Sequence, residues 1–151
     1  MKRLLIIYHT QSGATRLMAN AAYQGAKTIE GVEVILRRAM EACADDLLAA
    51  DGVLFGTPEN LGYLSGGLKD FFDRTFYAMP EEGIHLPYGL FISAGNDGSG
   101  AERQLQRIVQ GYRLKVVADT VIERGEITEL GLQRCHELGA AMATGLEMGI
   151  F

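Results

Sequence analysis

Leu4-Leu5-Ile6-Ile7-Tyr8 runs straight into His9-Thr10-Gln11-Ser12-Gly13-Ala14-Thr15-Arg16, and the reading of this stretch decides the fold. Consecutive apolar residues without a helical period, left through a cluster of hydroxyls and a glycine, predict a strand buried on both faces. Beyond the cluster, Leu17, Met18, Ala21, Ala22 and Gly25 share one face of a helix. The order is strand, polar loop, helix N-terminus. The first amides of a helix lack intrahelical partners and the helix dipole places partial positive charge there, so such a junction attracts anions. Thr10, Ser12 and Thr15 add hydroxyls, and Gly13 lets the backbone fold closely around a phosphate. One hydroxyl would be an ordinary N-cap. Three with a glycine, so close together, favour a phosphate loop.

Outward from this stretch, Val32-Glu33-Val34-Ile35-Leu36 predicts a second strand, and its Glu33 with Arg37 and Arg38 beyond marks a sheet edge. Residues 39–50 are alanine-rich, with Asp45-Asp46 placed to start a short helix at Leu47. Gly52-Val53-Leu54-Phe55-Gly56 repeats the character of the first strand and predicts a second central one. A polar loop from Thr57 to Gly67 follows. It is longer than the roughly two to six residues usual for such a connection, and long ordered loops at a sheet edge usually bind something. Ser65 is placed to cap a helix that carries Leu68, Phe71, Phe72 and Phe76 on its buried side. After a connector containing Glu81, Glu82 and His85, a fourth strand, Tyr88 to Ile92, leads into a third polar loop, Ser93 to Gly100. Leu105, Ile108, Val109 and Tyr112 stripe the next helix. A fifth strand covers Leu114 to Ala118 and resumes at Val121-Ile122; a last helix starts near Thr128 or Glu129, with Cys135, Leu138, Met142 and Leu146 as its stripe.

These elements predict one domain over residues 1–151: an α/β fold with a five-stranded parallel sheet, strand order 2-1-3-4-5, and helices on both faces. That order reverses between strands 1 and 3, and ligands of such sheets sit at the carboxyl ends of the strands at the reversal. The loops after strands 1, 3 and 4 then converge on one crevice, which points to one extended ligand. Composition narrows the class. With 14 basic and 19 acidic side chains the net charge is -5 and no basic stripe exists, which argues against a nucleic-acid partner. Cys43 and Cys135 have no metal-ligand spacing around them, so two reduced thiols and no metal site are expected. The apolar run after Met1-Lys2-Arg3 is too short for a signal peptide, and no stretch has membrane-spanning length; a cytoplasmic location is expected.

Other phosphate readers are excluded by their own chemistry. A Walker loop needs lysine directly after its second glycine, but Gly67 is followed by Leu68, with Lys69 one place late. The dinucleotide fingerprint is absent because Gly13 stands alone. A phosphoacceptor domain of the same topology needs an acidic cluster where this chain has Gly56-Thr57-Pro58. Thr10-x-Ser12-Gly13-x-Thr15 instead resembles the FMN-phosphate loop of flavodoxin-like flavoproteins. Gly56-Thr57-Pro58, Gly62, Ser65-Gly66, Leu68-Lys69 and Phe72-Asp73-Arg74-Thr75 resemble the NAD(P)H:quinone reductase branch once named tryptophan-repressor-binding proteins, and its relatives, the NADPH-dependent FMN reductases. The likeness covers nearly the whole chain and is closest from Asp51 to Thr75.

The resemblance implies FMN as cofactor, held at its phosphate by Thr10, Gln11, Ser12, Gly13, Ala14 and Thr15. It implies that Pro58, Glu59, Asn60, Leu61 and Gly62 flank the isoalloxazine through their backbone, with Tyr63 the aromatic best placed to cover the ring. Ser93, Ala94, Gly95, Asn96 and Gly98 line the other edge. It further implies NADPH or NADH as reductant and a small quinone-like acceptor, with no catalytic side chain required; His85 is the one imidazole considered as a proton donor. Asn60 departs from the quinone reductases, which commonly carry Arg there. The chain is also shorter than many of them, so a homodimer or higher oligomer is allowed but their tetramer is not implied. The rival is a flavodoxin-type electron carrier whose acidic rim would be Glu59, Glu81, Glu82 and Asp97; a flavin-holding sensor is the third reading.

Overall fold

The computed structural model describes residues 1–151. Along the chain it contains β1 (Lys2–Tyr8), α1 (Ala14–Lys27), β2 (Val32–Arg38), α2 (Ala44–Leu48), β3 (Gly52–Asn60), β4 (Tyr63–Leu64), α3 (Gly66–Thr75), a 3-10 turn (Phe76–Ala78), β5 (Pro87–Ala94), α4 (Ser99–Gly111), β6 (Lys115–Val116), β7 (Val121–Arg124) and α5 (Glu129–Met148). The sheet runs β2-β1-β3-β5-β6, with β7 also on β5. Its main strands pair in parallel, so the predicted order and the reversal between β1 and β3 are both present.

The sheet has seven strands rather than five, for two local reasons. The predicted fifth strand is broken by a bend at Ala118, so β6 pairs with Pro87-Tyr88 and β7 with Phe91 to Ala94. The stretch after β3, expected as a loop, folds back as the antiparallel strand β4. Helix α2 begins at Ala44, before the aspartates. Asp46 lies inside its first turn, where its carboxylate accepts from the Cys43 amide at 2.8 Å.

The central strands are buried on both faces, as an unbroken apolar run requires. Leu5, Ile7, Val53 and Phe55 pack under α3 and α4 with Leu68, Phe71, Leu105 and Tyr112. Leu4, Ile6, Leu54 and Phe91 pack under α1 and α5 with Met18, Ala22, Cys135 and Met142. Helices α1 and α5 touch backbone to backbone, since a methyl on Gly25 would collide with the His136 carbonyl and one on Gly139 with that of Ala22. Phe76, expected on the buried stripe of α3, lies beyond the helix in the 3-10 turn and is exposed. All three polar segments leave the carboxyl ends of β1, β3 and β5 on one edge of the sheet.

Candidate functional site

The first segment ends in a glycine-started helix. Gly13 is the N-cap of α1 at φ 101°, a left-handed conformation that favours glycine, and no side chain caps the helix. The three hydroxyls are therefore not spent on an ordinary cap. Thr10 Oγ1 accepts from the Gly13 amide at 3.0 Å, which leaves its own hydrogen to donate. Ser12 is exposed. Thr15 is buried, with its hydroxyl 2.8 Å from that of Ser93, so this hydroxyl ties the first segment to the third instead of facing outward. Sequence reasoning passed over Arg16. Its Nη2 lies 3.8 Å from where a Cβ on Gly13 would stand, adding a cation beside the helix end. Ser12, Gly13 and Arg16 face Gly125, Glu126 and Ile127 across a cavity of about 630 Å³, within the usual range for small-ligand sites.

The second segment is a hairpin. β3 continues through Pro58, Glu59 and Asn60, turns at Leu61 (φ 53°) and Gly62 (φ 73°), and returns through Tyr63. Two central residues with positive φ match the tight turn whose twist suits a hairpin. Leucine is a costly choice there, by about 1–2 kcal/mol, and Leu61 is fully exposed at the tip. Asn60 Nδ2 donates to Gln11 Oε1 at 2.7 Å, which joins the hairpin to the first segment. Tyr63 packs against the α3/α4 core and so has a structural contact of its own. At the hairpin's base, the buried Thr57 hydroxyl accepts from the Ser65 amide at 2.9 Å, and Ser65 Oγ caps α3 by accepting from Leu68 at 3.3 Å.

In the third segment Ser93 and Ala94 are the last residues of β5, and Gly95 to Asp97 form the loop. Gly98, at φ 75°, is the N-cap of α4. Unlike α1, this helix end is filled. Asp97 Oδ1 accepts from the amide and hydroxyl of Ser99 at 3.0 and 2.9 Å, and the amide bond above all holds its pKa below the usual carboxylate value. Glu59 reaches over from β3, accepting from the Gly98 amide at 3.2 Å and the Ala101 amide at 3.1 Å.

Two histidines change places in importance. His85 sits before β5, at the amino-terminal edge of the sheet, with Nε2 2.7 Å from the Glu82 carbonyl. It is removed from the crevice by the length of a strand and is excluded as a proton donor there. His9 follows β1 at the carboxyl edge of the sheet, its amide donating to the Gly56 carbonyl at 3.1 Å and its ring against Gly67. Nδ1 is buried without a partner, and burial lowers the pKa. Strand alternation carries the signal for this placement, since position 9 shares a face with Leu5 and Ile7. Cys135 is buried among α1 and α5 side chains, and burial pushes its thiol up to about 12, which fits packing and not thiolate chemistry. No cluster of three or more His, Cys, Asp or Glu side chains suited to a metal occurs, and no helix is long and apolar enough to cross a membrane.

The sequence profile of the NADPH-dependent FMN reductases matches residues 29–126, from just before β2 to just after β7. The chain belongs to the NADPH-dependent FMN reductase family. A protein of Aquifex aeolicus described as a flavodoxin is 44% identical over 102 residues, 68% of this chain and 55% of that one. An NAD(P)H dehydrogenase (quinone) of Acidithiobacillus ferrooxidans is 32% identical over 126 residues, covering 70% of this chain and 63% of that one. The chain thus spans less than two thirds of the length of these relatives. Among solved structures, an archaeal flavodoxin superposes with a TM-score of 0.81 at 21% identity, over 96% of this chain and 99% of that one. A WrbA-like flavodoxin from Agrobacterium tumefaciens gives 0.79 at 20% identity, over 98% and 99%. The fold is flavodoxin-like, and this FMN reductase family member carries its three polar segments on the ligand-binding edge of that fold.

Proposed function

We propose that the crevice binds FMN through the residues named above and that the protein is an oxidoreductase passing electrons from NADPH or NADH, through that flavin, to a quinone or similar small acceptor. The carrying observation is the uncapped, glycine-started end of α1 at the point where the three segments meet. The donor set suits a phosphate dianion. It comprises the first amides of α1, the Thr10 and Ser12 hydroxyls and the Arg16 guanidinium, with Glu126 the one acidic group across the cavity.

Bound FMN supplies two-electron redox chemistry at its ring. The chain's own part is orientation and electrostatics. The hairpin from Pro58 to Gly62 and the loop from Gly95 to Gly98 would flank the ring, and backbone amides of residues 59–62 would supply donors that favour negative charge there. Leu61 at the hairpin tip keeps water from the ring edge. Asn60, neutral where the resemblance to the quinone reductases implies a common Arg, adds no fixed positive charge beside the ring. That leaves both nicotinamides as candidate reductants, distinguished by the 2′-phosphate alone.

The 44% relative described as a flavodoxin favours a second reading, an electron carrier without turnover of its own. The expected acidic rim argues against it. Glu59 is engaged with α4, Glu81 and Glu82 precede β5 at the opposite edge, and Asp97 has Arg124 beside it, donating to its carbonyl at 3.4 Å. Anaerobic spectra of the FMN-saturated protein separate the readings. Bleaching of the bound flavin band by NADPH or NADH, with reoxidation by a quinone, is expected. Reduction by dithionite but by neither nicotinamide would make the protein a carrier.

A further inference from the structure

Glu59 is the one acidic side chain of the hairpin, and it does not face solvent as a member of an acidic rim. Its two carboxylate oxygens accept from two different amides of the α4 start, Gly98 at 3.2 Å and Ala101 at 3.1 Å. A second contact holds the same two elements together. Gly100 has no Cβ because the Gly62 carbonyl occupies that place, so the turn of the hairpin rests on the first turn of α4. The Asn60 to Gln11 bond fixes the hairpin on its other side. We propose that Glu59 is a positioning residue for the flavin ring: its carboxylate, bridged to the start of α4, fixes the hairpin on α4 and so sets where the hairpin edge that flanks the ring stands.

The inference rests on the FMN reading above and assigns the Glu59 side chain a task separate from backbone contact with the ring. Its physical basis is preorganisation. A charge-assisted pair of hydrogen bonds to helix amides is stronger than a neutral one, and a hairpin already docked on α4 need not be ordered when a ligand enters. The clamp acts on the ring and not on the phosphate, which is held at α1 on the other side of the hairpin.

The test compares E59A, E59Q and G100A with the wild-type chain. E59A removes both acceptors. E59Q keeps the length and one acceptor oxygen but loses the second. G100A places a methyl against the Gly62 carbonyl and pushes the hairpin off α4 without touching Glu59. FMN affinity is read by quenching of flavin fluorescence, the ring environment by the fine structure of the visible band, and the α1 end by the inhibition constant of inorganic phosphate against FMN. Expected are an FMN dissociation constant raised about tenfold or more in E59A and G100A, less in E59Q, and a blurred visible band. The phosphate inhibition constant stays at the wild-type value. Wild-type affinity and spectrum in all three variants overturn the inference, as does an equal weakening of FMN and phosphate, which would mean general damage to the fold. A wild-type chain that does not bind FMN removes the FMN reading itself, a result distinct from either.

Discussion

Helices α1 and α4 begin alike and end up with opposite chemistry. Each starts at the carboxyl edge of the sheet behind a left-handed glycine, Gly13 and Gly98, that has no side chain to cap it. At α4 two carboxylates, Asp97 and Glu59, take up the amides of Gly98, Ser99 and Ala101. At α1 no side chain bonds the cap, the first turn contains no acidic residue, Arg16 folds toward Gly13, and the one carboxylate nearby, Glu126, stands across the cavity. A helix end that already holds an anion of its own is used by the fold, and one left uncapped, with a cation beside it, is suited to an anionic ligand.

Making α1 resemble α4 is the most severe way to break the comparison. S12D places a carboxylate where the phosphate would lie. Repulsion at that distance is expected to weaken FMN binding about a hundredfold, while riboflavin, which lacks the phosphate, binds as before. Parallel fluorescence titrations read both. Unfolding in urea should show no loss of stability, because the new charge favours the helix dipole.

The converse change acts on stability. E59A leaves two amides at the start of α4 without their acceptor and should cost the apoprotein about 2 kcal/mol in urea unfolding, as the loss of a charged cap does. If E59A is as stable as the wild-type chain, the Glu59 bridge carries no weight in the fold.

The smallest expected effect belongs to His9, whose ring packs against Gly67 at the start of α3. Burial lowers its folded pKa below the ordinary value of 6.5, so the unfolded chain binds the proton more readily. Its contribution is therefore fully present above the ordinary histidine pKa, and stability is lost as pH falls from there toward the lowered value. Thermal midpoints between about pH 7.5 and 5.5 should fall less steeply in H9Q than in the wild-type chain. Equal slopes would mean that the His9 ring is not held as described.

The contrast between the two helix ends also marks how far the sequence could be read. Strand burial at Leu4 to Tyr8 and Val53 to Phe55, the strand order and the crevice all follow from local hydrophobic pattern and the rules of parallel sheets. The cluster at Thr10 to Thr15 was legible because residue types close in sequence carry its chemistry. What escaped was long-range. The Glu59 bridge joins residues 39 and 42 positions apart, and the Thr15 to Ser93 pair spans 78. No pattern within one segment announces such contacts. The hairpin escaped for another reason: its turn has leucine at a position where asparagine or glycine is the usual signal, and the strand that returns is only two residues long. His85 drew attention as an imidazole near a strand, and only the topology put it at the wrong end.

The central claim is that the crevice holds FMN by its phosphate on the free end of α1. The most direct test is to titrate the apoprotein with FMN and with riboflavin under the same conditions. FMN bound at least about a hundredfold more tightly than riboflavin is the predicted result, the advantage of a dianion on a charge-assisted donor set. Equal affinities, or no binding of either, would contradict it.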